Sequence, residues 1–327
     1  MKKIILLMFI VIVSVFVFSE IFMVPIKGSY ITSSFGEYRN TGNNPHFHLG
    51  VDFSTFNREN IDVYASAQGN LYKIWINDPV YGNTIFLKHD DLSLITDYAH
   101  LNSFSEKINK YVDIIKKEFG DKKRMEIVFP DNSVNIKTGE IIALSGSTGE
   151  AEAPHLHFEV REEINGTEMI RNPLEYLEYK ENRKKTLELL SVRVNGKYID
   201  INNSDLNTIE FSGDYPKIDV RVRERLGNNT VIMVKSVSIS LDNSLMYKID
   251  FSSLPESVGY KPQPVYGYGS TSSIYWLKMY SIESLYPIKD NNWSQLIGSD
   301  KSSYKGEIVL EDFWGNKKVY NFNFIKN

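Results

Sequence analysis

The chain has 327 residues, 42% of them hydrophobic and 24% charged, with a net charge of −4 and no cysteine. That length suits two domains, each large enough to bury a core of its own. The charge excludes a nucleic-acid partner, since no basic excess exists to neutralise phosphates, and the missing thiols exclude disulfides and leave imidazole and carboxylate as the donors for any transition metal.

The N-terminal text, MKKIILLMFIVIVSVFVFSE, has the layout of an export signal covering residues 1–19. Lys2 and Lys3 supply the charged start, Ile4 to Phe18 the apolar run, and Val17 and Ser19 suit a cleavage site. The run is short of the roughly 20 residues that a membrane-spanning helix needs. The alternative is an uncleaved anchor extended by Ile21 to Val24, which would associate the protein with the membrane. Either way the remainder works outside the cytoplasm, in the periplasm or cell envelope.

Residues 20–178 read as one mainly β domain. Short strand-like runs are punctuated by glycine, and YGN (Tyr81 to Asn83) forms a turn between Ile76 and Ile85. At about 103–120 the period changes: Phe104, Ile108, Tyr111, Ile115 and Phe119 form a helical stripe expected to pack, ending at Gly120. Strand text resumes with MEIVF, VNIKTGEIIALSG and HLHFEV. Residues 179–189 are densely charged and read as a helical connector. From 190 to 327 the period-two runs are clean, with Asn195-Gly196 as a hairpin turn, and the expected fold is an antiparallel, Ig-like β-sandwich. That half holds no histidine and shows no site of its own.

All six histidines, at positions 46, 48, 89, 100, 155 and 157, lie in the first half. In HFHLGVDF, His48 and Asp52 frame the pattern H-x-G-x-D; they can reach one ion if the chain bends, and Gly50 leaves room for that bend. In APHLHFEVR, His155 and His157 are two apart and share one strand face, while Leu156, Phe158 and Val160 share the other. His100 closes a third run, YAH. Together these offer two imidazoles and a carboxylate for a metal, with two imidazoles to spare for acid–base work, the pattern of catalytic zinc with an open fourth position. His46 is expected at the cleft rim and His89 in a structural role.

In the order ITSSFG, HLGVD, VYASAQG, YGN, YAHL, KTGEIIALSGSTG, PHLHFEV and NPLEYL, residues Ile31 to Leu177 resemble the lysostaphin/LytM-type zinc metallopeptidases, which cut peptide crosslinks of bacterial cell walls. The resemblance implies Zn²⁺ held by His48, Asp52 and His157, with His100 and His155 as catalytic histidines. It implies a secreted endopeptidase whose partner is a peptidoglycan stem peptide or crosslink. The alternatives are a non-catalytic wall-binding or hydrolase-activating protein and a zinc peptidase acting on a protein. Two departures stand out: residues 102–136 intervene after YAHL, and GEAEAP (149–154) replaces a glycine-rich approach to the HLH strand. The sandwich could recruit substrate, dock a partner or cover the cleft.

Overall fold

The structure is a computed structural model and describes residues 21–120, 123–199, 201, 207–283 and 287–327. The export-signal reading of residues 1–19 lies outside the described residues. The first half is built on strands β1 (Ile31–Ser33), β2 (Val51–Ser54), β3 (Gly69–Asp78), β4 (Gly82–His89) and β5 (Leu94–Phe104), then helix α1 (Glu106–Phe119). Strands β6 (Ile141–Ser145), β7 (His155–Ile164) and β8 (Thr167–Arg171) follow. Their spatial order, β1-β2-β7-β5-β4-β3, places β7 at the centre, antiparallel to both β2 and β5.

The two faces of β7 explain the sheet. Leu156, Phe158 and Val160 are fully buried against Val51, Phe53, Tyr98 and their neighbours. The opposite face carries His155, His157, Glu159 and Arg161, and it too is covered, so that Glu159 has no exposure at all. Register pairs His157 with Asp52 on one side and with Ala99, the neighbour of His100, on the other, which delivers two of the expected site residues to one spot.

Helix α1 packs more narrowly than the stripe predicts. Ile108 and Val112 are buried, but Phe119 is 60% exposed. The final position of the stripe thus faces mostly solvent. The expected helix over 179–189 is also corrected: strand β9 (Lys185–Val194) begins inside it. Leu187 and Leu189 alternate into the core while Glu188 pairs outward with Arg223, so burial at period two outweighs the helical leaning of a charged segment.

The second half forms two sheets over one apolar core. One contains β9, β10 (Ile218–Leu226) and β14 (Tyr275–Lys278); the other contains β11 (Ser236–Leu241), β12 (Ser244–Asp250), β15 (Ser303–Glu311) and β16 (Lys317–Lys326), while β13 (Ser253–Pro255) joins the sheet of the first half. Pairing is antiparallel except that Asn207–Phe211 runs parallel to β16. The halves interlock. Phe35, Phe47 and Leu49 of the first half join the core of the second, Leu226 and Ile232 of the second join that of the first, and β8 pairs with β13.

Candidate metal centre and cleft

Asp52 projects from β2 and His157 from β7, and His48 arrives from the bend just before β2. The bend needs glycine at position 50, where a Cβ would stand 2.6 Å from the Phe158 carbonyl and 2.7 Å from the His157 ring. His48 Nε2 lies 3.0 Å from Asp52 Oδ1 and 3.1 Å from His157 Nδ1, and the last two atoms are 3.0 Å apart.

Hydrogen bonds on the far sides of both rings decide which nitrogen faces inward bare. His48 donates Nδ1–H to the Ser34 carbonyl at 2.8 Å, and His157 donates Nε2–H to Glu159 Oε1 at 2.8 Å. Those outer bonds leave His48 Nε2 and His157 Nδ1 as the nitrogens that face the Asp52 carboxylate, an arrangement that a cation between the three would satisfy. Zinc bonds of about 2.0–2.1 Å put tetrahedral donors roughly 3.3 Å apart, close to the separations here. The residues fit the metal, and these three form a group that could hold one.

The electrostatics agree. Burial opposes charge on His157, but hydrogen bonds to Asp52 and Glu159, and their charges, raise its pKa to about 10. Burial alone would raise Asp52; His48 and His155 nevertheless hold it well below the usual carboxylate range. The cage stabilises positive charge at its centre.

His100 and His155 stand beside this cage, with ring centroids 4.6 Å apart, and His155 Nε2 is 3.7 Å from Asp52 Oδ1. His100 donates Nδ1–H to the Thr148 carbonyl and His155 to the Ala153 carbonyl, both at 2.8 Å. Burial, with His155 and His157 adding to it, lowers the His100 pKa to about 3, so this ring is neutral. His100 also has a left-handed backbone, φ +61°, an expensive conformation for a residue with a side chain. All five expected residues thus come together. His89 instead bonds Gln68 O and Thr96 Oγ1 within the sheet, and His46 lines the cleft with its ring 5.5 Å from Tyr260.

The sequence reading missed the groups behind the cage. Glu159 accepts from His157 and Tyr81 and pairs with Arg161, which also pairs with buried Asp97. Burial would raise Glu159, yet Arg161 and the His157 hydrogen bond take it down to about 2. The signal was present: period two after His157 puts Glu159 and Arg161 on the same face. A second omission is Arg39, 2.9 Å from Glu37 and 3.9 Å from Asp52 Oδ2. A third is the share of the histidine-free half, read as having no site of its own, in the cleft wall. The cleft, about 1090 Å³, is lined by Tyr260, Ser270, Thr271 and Ser272 as well as by the five site residues.

No family model matches the chain. The DD-carboxypeptidase/endopeptidase Mpg of Neisseria meningitidis serogroup B is 30% identical over 119 residues, covering 36% of this chain and 20% of that protein. Lysostaphin of Staphylococcus simulans is 29% identical over 136 residues, 42% of this chain and 22% of that protein. The chain therefore matches about a fifth of the length of these curated relatives. The solved catalytic domain of the same lysostaphin, described as an antimicrobial peptidase, is 27% identical, covering 45% of this chain and 90% of that one, with a TM-score of 0.31. The relatives of this chain are peptidases of the lysostaphin/LytM type, and its resemblance to the two curated ones covers between 36% and 42% of its length.

Proposed function

We propose that this protein is a zinc metalloendopeptidase that works outside the cytoplasm on peptidoglycan stem peptides or crosslinks. Residues 20–178 form the peptidase unit and residues 190–327 an accessory sandwich that shares the cleft wall. His48, Asp52 and His157 hold the zinc. The observation that carries this reading is the convergence of two bare imidazole nitrogens and one carboxylate oxygen, 3.0–3.1 Å apart.

When bound, zinc supplies Lewis acidity, which acidifies water and polarises a carbonyl. The chain's own groups do the rest. His155 presents Nε2 to the cleft, 3.7 Å from Asp52 Oδ1, and is assigned as the proton acceptor that later returns the proton to the leaving amine. His100, neutral and more deeply buried, offers Nε2 as an acceptor that orients water or a substrate N–H. Cleavage then requires both side chains, each contributing about 10²–10⁴-fold.

The test is mass spectrometry of peptidoglycan fragments after incubation with the full chain, with and without a zinc chelator. Chelator-sensitive cleavage at one peptide bond is the expected result. Intact wall material from a zinc-loaded protein would overturn the proposed substrate.

A further inference from the structure

The motif YGN is absorbed by neither metal binding nor proton transfer, yet it touches both, with Tyr81 ending the turn at residues 79–81 and Gly82 and Asn83, expected in that turn, opening β4 instead. Five contacts reach from it to the site. The Tyr81 hydroxyl donates to Glu159 Oε1 at 2.9 Å, the same oxygen that accepts the His157 Nε2–H. The Tyr81 carbonyl accepts the His100 N–H at 2.9 Å. Gly82, with φ +66°, lies so close to Thr148 that a Cβ would stand 2.2 Å from its Oγ1. The Asn83 N–H donates to that Oγ1 at 2.9 Å, and the Asn83 side chain donates to the Leu101 carbonyl at 3.1 Å, one residue past His100. Thr148 in turn presents its carbonyl to His100 Nδ1–H.

Taken together, these contacts account for the left-handed backbone of His100. The turn pulls on its N–H from one side, while the Thr148 carbonyl, pinned by Gly82 and Asn83, fixes its ring from the other. The turn is itself anchored, since Asp78 Oδ1 accepts the N–H groups of Val80 and Tyr81 at 2.9 Å each.

We propose that Tyr81 is a positioning residue that joins the metal ligand His157 to His100: its hydroxyl, through Glu159, fixes the ligand's tautomer and aim, and its carbonyl fixes the backbone of the second histidine. Burial and Glu159 raise the phenol well above its usual range, so it remains a hydrogen-bond donor. The inference rests on the metallopeptidase reading and assigns Tyr81 a task that its hydroxyl and carbonyl perform through Glu159 and His100.

The test is zinc affinity of the full chain, measured by competition with a chromophoric chelator. Tyr81→Phe removes only the hydroxyl and is expected to weaken zinc about tenfold, and Glu159→Gln about 10–100-fold. Because the hydroxyl acts through Glu159, the double variant is expected to bind zinc no worse than Glu159→Gln alone. Gly82→Ala acts on the other branch: peptide release from peptidoglycan falls at least about tenfold while zinc affinity holds. Thermal melts of the metal-free variants check folding. If wild-type protein takes no zinc, the metallopeptidase reading falls and this inference with it. If wild type binds zinc and Tyr81→Phe stays within twofold of it, or the two losses multiply, this inference alone falls.

Discussion

Two strands, one in each half, bury a glutamate, and the two carboxyls end in opposite states. Glu159 on β7 and Glu224 on β10 both have zero exposure. Glu159 meets an imidazole N–H, a phenol and a guanidinium, and its pKa falls to about 2. Among the described residues both oxygens of Glu224 lack a hydrogen-bond partner, and burial, with Asp312 nearby, raises it to about 9. Burial is the same in both cases. The partners decide whether the buried group is a charge that organises a site or an acid that keeps its proton.

The largest expected effect lies at the cage that Glu159 serves. Asp52→Ala leaves two bare nitrogens with no carboxylate, and zinc affinity, read by chelator competition, falls by more than the roughly 10–100-fold that an outer partner contributes. Next comes Glu159→Ala, which removes one carboxylate partner of buried Arg161 and the acceptor of the His157 Nε2–H, leaving Asp97 and Asp52 as their remaining partners there. Urea unfolding is expected to show a loss of about 3–5 kcal/mol, and a loss below 1 kcal/mol would erase the contrast with Glu224.

The pH dependence sharpens the comparison. Glu159 is depressed from 4.5 to about 2, so its stabilisation of about 3 kcal/mol is complete above pH 4.5 and is lost as pH falls toward 2. Glu224 is raised from 4.5 to about 9, so the folded state keeps a proton that the unfolded chain releases. Its contribution is complete below pH 4.5 and declines up to pH 9, at about 1 kcal/mol per pH unit. Wild type minus Glu224→Gln, measured by urea unfolding at pH 5 to 8, should therefore slope downward. A flat difference means that Glu224 is ionised in the fold. The smallest effect is expected at the outer end of α1, where Phe119→Ser changes stability by less than about 0.5 kcal/mol, because 60% of that side chain already faces solvent.

Much of the first half was legible because its signals are local. The alternation in HLHFEV separates the core face of β7 from its polar face, and the bend in HLGVD needs only Gly50. What stayed hidden depends on partners far away in sequence. Lys185 to Leu189 read as helix because nothing nearby announces that Glu188 meets Arg223 on β10. Glu159 reads as an ordinary outward strand residue until Tyr81 is known to lie over it. The contribution of Tyr260 and Ser270 to Ser272 to the cleft follows from docking between the halves, which no periodicity encodes.

The pairing of β8 with β13 has a practical consequence. A chain cut between the halves would present β8 as a bare edge, with unpaired N–H and C=O groups, beside the newly uncovered rings of Phe35 and Phe47. Such an edge is a template for strand addition by other copies. The isolated first half would therefore tend to associate through β8, and inactivity of that fragment would report on self-association before it reported on what the second half does for the substrate.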